Sequence, residues 1–244
     1  MRKDRVVLIT GASRGLGRET ARLFAARGAR LILTARGAEG LLETVASARA
    51  HTDVVAPAGD IAHSEHAERL VALGLARFGR IDVLINNASS LGPTPMPPLE
   101  ALSLEAFDAV IHANVTTPLH LVQLVLPGMK AWGEGVIVNV TSDAGVQAYA
   151  GWGGYGVSKA ALEHLSRILA EEVSGTGVRV YVADPGNMNT VMHREAEPGA
   201  DLSDLPGPEK VAPALVRLIE EETVPFRRVE LQAWGAGVGE AARR

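Results

Sequence analysis

Short, largely apolar, β-branched runs alternate with longer stretches of helical period along the whole of this chain, and that rhythm constrains the fold more than any other feature. The runs are Arg5–Ile9, Arg30–Thr34, Asp53–Ala56, Asp82–Ile85, Gly135–Val140, Val178–Ala183 and Val229–Ala233. Helical patterns lie between them at Gly15–Arg27, Ala38–Ala50, Ser64–Phe78, Leu104–Lys130, Tyr155–Ser174 and Pro208–Glu221. Alternation repeated this often predicts a parallel sheet with crossover helices. Val6-Val7-Leu8-Ile9 and Val136-Ile137-Val138 have no polar alternate, as strands covered on both faces require. The expected fold is therefore α/β, a single doubly wound domain over residues 1–244. Its seven-stranded parallel sheet should carry helices on both faces.

Composition narrows the function classes. Aromatics are 4% against 26 glycines, which points to an aliphatic core with close backbone approaches. A net charge of −4 with no basic stripe argues against nucleic acid as a partner. The absence of cysteine removes disulfides, thiolate metal sites and cysteine nucleophiles. His63-Ser64-Glu65-His66 has no third ligand nearby in sequence and reads as a solvated helix face, so no metal is expected. The charged start leads only into Val6–Ile9, too short for a secretory signal, and no segment is expected to span a membrane. Cytoplasm is the expected compartment.

Thr10-Gly11-Ala12-Ser13-Arg14-Gly15-Leu16-Gly17 follows the first strand and opens the first helix. Glycines there permit a sharp turn and bring backbone N–H groups up to a pyrophosphate at the helix N-terminus. An NAD-binding half usually ends its second strand with an acid for the ribose 2′-hydroxyl. Here that place reads Thr34-Ala35-Arg36. Arg36, with Arg14 converging from the glycine turn, suits a 2′-phosphate, because guanidinium binds phosphate through paired charge-assisted bonds. The expected cofactor is NADP(H).

Tyr155 and Lys159 stand four apart, so on a helix they share a face. A neighbouring ammonium would favour the phenolate and bring a group of ordinary pKa ~10 nearer to working pH. Ser142, just past a buried strand, could hydrogen-bond a substrate oxygen beside Tyr155. Nearby, Trp152 and Tyr149 either wall a substrate pocket or simply pack, and no Gly-x-Ser-x-Gly elbow suggests a hydrolase.

Thr10–Gly17, Asp60-Ile61, Asn86-Asn87-Ala88-Ser89, Asn114, Ser142, Tyr155-x-x-x-Lys159 and Pro185-Gly186, in that order, resemble the short-chain dehydrogenase/reductase superfamily over essentially the whole chain. The resemblance implies hydride transfer between a nicotinamide and a carbonyl or secondary alcohol, with Asn114, Ser142, Tyr155 and Lys159 catalytic. Asn114 would hold a water in a proton relay, and Lys159 would bond the nicotinamide ribose. Cofactor contacts would be Gly11, Ser13, Arg14, Gly15, Leu16, Gly17, Arg36, Asp60, Ile61, Asn87, Ala88, Tyr155, Lys159, Pro185, Gly186 and Thr190. Substrate would meet Ser142, Gln147, Trp152, Tyr155 and Met188, beneath a mobile lid near residues 187–207. A homodimer or homotetramer acting on a small molecule is implied. Two departures are Ser89, where many members have Gly, and the ending Gly235-Ala236-Gly237-Val238-Gly239 with its basic tail. An NAD(H)-preferring dehydrogenase is the nearer alternative, and a non-catalytic NADP(H) sensor the more distant one.

Overall fold

The computed structural model describes residues 4–236; the last part of the glycine-rich basic ending lies outside them. Seven strands form one sheet: β1 (Val6–Thr10), β2 (Arg30–Thr34), β3 (Val54–Val55), β4 (Val83–Asn86), β5 (Gly135–Val140), β6 (Val178–Asp184) and β7 (Phe226–Glu230). Their order is β3-β2-β1-β4-β5-β6-β7, and every neighbouring pair is parallel. β1, β4 and β5 are buried at every position. That is why their sequences lack alternation. The register runs Ile9 beside Ile85 and Ile85 beside Val138, so the apolar runs stack into two cores, one on each face.

Helices α1 (Gly15–Ala26), α2 (Ala38–Arg49), α3 (Ser64–Phe78), α4 (Leu104–Ile111), α5 (Thr117–Trp132), α6 (Gly153–Glu172), α7 (Val191–Ala196), α8 (Pro208–Glu221) and α9 (Leu231–Gly235) complete the described chain. Three differences from the sequence reading have physical causes. The single helix expected over Leu104–Lys130 is interrupted by a π turn at His112–Thr116. The last strand is Phe226–Glu230 rather than Val229–Ala233, because Val180 to Asp184 pair with Phe226 to Glu230. Leu231 and Trp234 then turn into the core as a short helix. Within the polar Pro185–Pro208 stretch, six residues form α7, capped by Thr190 Oγ1 accepting from His193 N at 3.2 Å.

By length and apolar composition alone the run Leu104–Trp132 is long enough to cross a membrane. In this fold Leu121, Val122, Val125 and Met129 of that run belong to one of the sheet's two cores.

Candidate active site

The strand order reverses between β1 and β4, which opens a crevice at the carboxyl ends of the sheet. The glycine turn lines it. Gly11 and Gly15 adopt φ of +67° and +58°, the left-handed region that favours glycine. A Cβ on Gly17 would stand 2.4 Å from the Gly11 carbonyl oxygen, so the turn closes only without one. Above Gly15 there is open space, with Thr190 Cγ2 the nearest atom at 4.0 Å from a built Cβ. Arg14 gives α1 no side-chain cap, leaving first-turn amides to meet an anion. Asn87 locks the arrangement: its Nδ2 donates to the Thr10 and Gly11 carbonyls at 2.9 and 3.2 Å. Thr10 Oγ1 in turn accepts from Asn87 N and Ala88 N, both at 3.0 Å. The glycine cradle and the uncapped first turn of α1 fit the diphosphate of a dinucleotide.

At the adenosine end Arg36 stands exposed just past β2. Arg14 is exposed too, but its Nη2 leans toward Glu195 Oε2 of α7, 3.9 Å away. Asp60 Oδ1 accepts from Ala62 N at 3.0 Å, shaping the turn after β3, while Leu16 and Ile61 are core residues beneath the cleft. His66 turns inward rather than to solvent. Its Nε2 lies 2.8 Å from Thr34 Oγ1, and burial lowers its pKa.

On the other side of the crevice, α6 presents Tyr155, Lys159 and Glu163 at successive four-residue steps, all buried. Lys159 Nζ donates to the Val140 carbonyl at 2.8 Å and lies 5.4 Å from the Tyr155 ring centre. Burial brings the Lys159 pKa down to about 8, against the pull of Asp184 and Glu163. Burial also pushes the Tyr155 phenol well above its ordinary range; hydrogen bonds with Ser142 and Ser89 oppose the rise, and the charges of Asp184 and Asp143 add to it. The expectation that Lys159 draws Tyr155 toward neutrality is not met in the protein alone. Desolvation wins.

Asn114 sits in the π turn with its amide fully committed. Oδ1 accepts from Ser90 N and Ser89 Oγ at 2.8 and 3.1 Å, and Nδ2 donates to Ser90 O and Ser158 Oγ at 2.8 and 2.9 Å. With four of four bonds made, the side chain ties the segment after β4 to α6. Ser89, the departure from glycine noted in the sequence, is one of its partners.

Ser142, at the end of β5, donates from Oγ to Asp143 Oδ1 at 2.9 Å and accepts from Ala144 N at 3.2 Å. Tyr149 donates to Asp143 Oδ2 at 2.7 Å and also lies 2.9 Å from Gln147 Oε1. Trp152 stands between Tyr149 and Tyr155, with ring centres 5.7 and 5.9 Å away. Leu91, Ala144 and Tyr155 form a small buried cluster against which Met96, Trp152, Met192 and Ala196 pack. Met188 instead packs on one of the main cores; Met192 is the lid methionine beside Tyr155. A cavity of only about 10 Å³ remains against Tyr155.

Behind these groups lies a network that sequence reading missed. Arg228 of β7 reaches both Glu163 oxygens from Nε at 3.1 Å, and Asp184 Oδ2 from Nη2 at 3.1 Å. Thr141 Oγ1 donates to Glu163 at 2.9 Å, and Gly186 N donates to Asp184 Oδ1 at 2.9 Å. Gln232 Nε2 holds the Pro185 and Asn187 carbonyls. Glu163 was findable as the next step of the Tyr155–Lys159 face; Asp184 and Arg228 had no local signal.

The short chain dehydrogenase family model matches residues 5–201, and the chain belongs to that family. It is an oxidoreductase by class. A rhamnolipids-biosynthesis 3-oxoacyl-(acyl-carrier-protein) reductase of Pseudomonas aeruginosa is 36% identical over 200 residues, covering 78% of this chain and 75% of the relative. A 2-(R)-hydroxypropyl-CoM dehydrogenase of Xanthobacter autotrophicus is 36% identical over 191 residues, covering 78% and 76%. Among solved structures, a metagenomic short-chain oxidoreductase in complex with NADP is similar at 30% identity and a TM-score of 0.77, over 93% of this chain and 96% of that one.

Proposed function

We propose that this protein is an NADP(H)-dependent reductase or dehydrogenase, interconverting a small carbonyl compound and its secondary alcohol. The observation that carries the reading is the buried phenol of Tyr155, flanked by the Ser142 and Ser89 hydroxyls, one helical turn from Lys159 at the mouth of the crevice. The nicotinamide, when bound, supplies or accepts a hydride. Ser142 hydrogen-bonds the reacting oxygen, and Tyr155 gives its proton to that oxygen in reduction or takes it back in oxidation. Lys159, anchored on Val140 O, holds positive charge beside the phenol and faces the ribose side of the cleft. Asn114 keeps Ser89 in place.

NADP(H) over NAD(H) is supported by Arg36 at the end of β2, by the absence of an acid there, and by the NADP complex of the metagenomic relative. Gly11, Ser13, Gly15 and Gly17 form the phosphate cradle in this reading, with Pro185, Gly186 and Thr190 on the nicotinamide side. Met192 and Ala196 pack on the cluster that holds Tyr155, which supports a lid over residues 187–207 that moves when substrate enters. Family membership also supports a cytoplasmic homodimer or homotetramer. The test of the core claim is Tyr155→Phe. Turnover should fall by roughly 10²–10⁴-fold while NADPH binding persists. Wild-type activity in that variant would end the assignment.

A further inference from the structure

Asp143 is the residue of the site that the family reading leaves without a task. Its carboxylate is hydrogen-bonded by two hydroxyls, Ser142 Oγ at 2.9 Å and Tyr149 Oη at 2.7 Å. Among the described residues it makes no ion pair. The cations closest to the site are engaged elsewhere. Lys159 is buried and tied to Val140 O, and Arg228 is shared by Glu163 and Asp184. On the lid, His193 faces Glu197 at 3.5 Å.

The position of that charge is defined by its neighbours. Ser142 is the group that meets the reacting oxygen in the proposed function, and Asp143 Oδ1 is bonded directly to it. Tyr149, bonded to Oδ2, packs at a tilt against Trp152, which in turn meets Tyr155 edge-on. The carboxylate therefore stands beside Ser142, at the edge of the apolar cluster in which Trp152, Met96 and Met192 pack near Tyr155. Its field reaches Tyr155, where it opposes the phenolate together with Asp184. Asp184 has its own arginine. Asp143 does not.

We propose that Asp143 selects substrate by charge: the site favours a carbonyl or alcohol carrying a protonated amine close to the reacting carbon and rejects one carrying a carboxylate or phosphate there. The inference rests on the oxidoreductase reading and names its substrate class. An incoming ammonium finds a half-buried carboxylate with spare acceptor capacity. An incoming anion meets a like charge that makes no ion pair among the described residues. For groups several ångströms apart at the edge of a protein, such a difference is worth on the order of tenfold to a hundredfold in kcat/KM.

The experiment compares wild type with Asp143→Asn on three acetophenones, bearing a ring aminomethyl, hydroxymethyl or carboxylate group, with NADPH. Binding of benzylamine, benzyl alcohol and benzoate to the NADPH-bound enzyme, followed by cofactor fluorescence, supplies a measurement independent of turnover. Wild type should rank cation above neutral above anion, with at least tenfold between the extremes. Asp143→Asn should bring the cation-to-anion ratio within about threefold, each value being normalised to the neutral compound. Tyr149→Phe, which keeps the carboxylate, should keep the ranking. Equal handling of cation and anion by wild type, or a ratio that Asp143→Asn leaves unchanged, overturns the proposal. Charge-ranked binding without turnover of any ketone would instead count against the oxidoreductase reading and leave the selection by Asp143 standing.

Discussion

Arg228→Leu tests whether the network behind the site is structural. In the folded protein Arg228 is the cation for two carboxylates, Glu163 and Asp184, whose side chains are only 6% and 5% exposed. Leucine fills part of the volume but removes the guanidinium that bonds both acids. Breaking a buried pair by removing one partner typically costs about 3–5 kcal/mol. For a domain of this size each kcal/mol shifts Tm by about 2–4 °C, so the melting point should drop by roughly 6–20 °C. The loss should also depend on pH, and the sign follows from Asp184. Burial already raises its pKa and Arg228 pulls it back, so removing Arg228 raises it further. A folded state that holds a proton the unfolded chain has released loses stability as pH rises through that range. The deficit should therefore be larger at pH 8 than at pH 5.5. Thermal melts at both pH values and matched protein concentration provide the assay, with Glu163→Gln/Asp184→Asn as the control background in which Arg228→Leu should cost far less. A Tm change under 2 °C in the otherwise native protein, or a deficit that grows on acidification, would refute the reasoning.

Three further outcomes follow from the site. Arg36→Asp should reverse cofactor preference, since a charge-assisted bond to the 2′-phosphate is worth about 1.5–3 kcal/mol, or roughly tenfold to a hundredfold; kcat/KM for NADPH and NADH on both proteins checks it, and an unmoved ratio would mean that Arg36 has no part in the choice. Amides of residues 187–207 should exchange quickly in the free protein and slowly with cofactor and substrate bound, and equal protection in both states would remove the lid. The kcat/KM for reduction should fall as pH rises past about 8, where Lys159 gives up its proton; a flat profile to pH 10 would show that its charge is not needed.

The sheet was legible because its strands are buried on both faces and its helices long enough to show their period. Boundaries failed where tertiary contacts rather than local pattern decide them. Val229–Ala233 is as apolar as a strand, yet Val180 to Asp184 select Phe226 to Glu230 as partners. α7 is too short for a period and owes its place to the Thr190 cap and to Met192 packing beside Tyr155. The Tyr155–Lys159 pair could be found because helical spacing alone brings it together. Asp184 and Arg228 are 44 residues apart and meet only because β6 and β7 are neighbours. Asp143 adjoined Ser142 in the sequence, but its significance depends on which cations are near, and chain order does not carry that.

The electrostatics give the chemistry a direction. Tyr155 is surrounded by groups that disfavour its anion: an apolar cluster and the charges of Asp143 and Asp184, opposed by two serine hydroxyls. In this state the phenol keeps its proton at neutral pH, which is the form that donates to a carbonyl oxygen. Removing a proton from an alcohol requires the phenolate, and the nearby ammonium that would stabilise it is itself weakened by burial. The same low-dielectric setting thus acts on both members of the pair in opposite senses, raising the phenol and lowering the ammonium so that the two move apart. Arg228 pairs with Asp184 and Glu163 behind Lys159, while Asp143 makes no ion pair among the described residues. Arg228, half-buried, ties β6 and β7 to the helix that carries Tyr155 and Lys159.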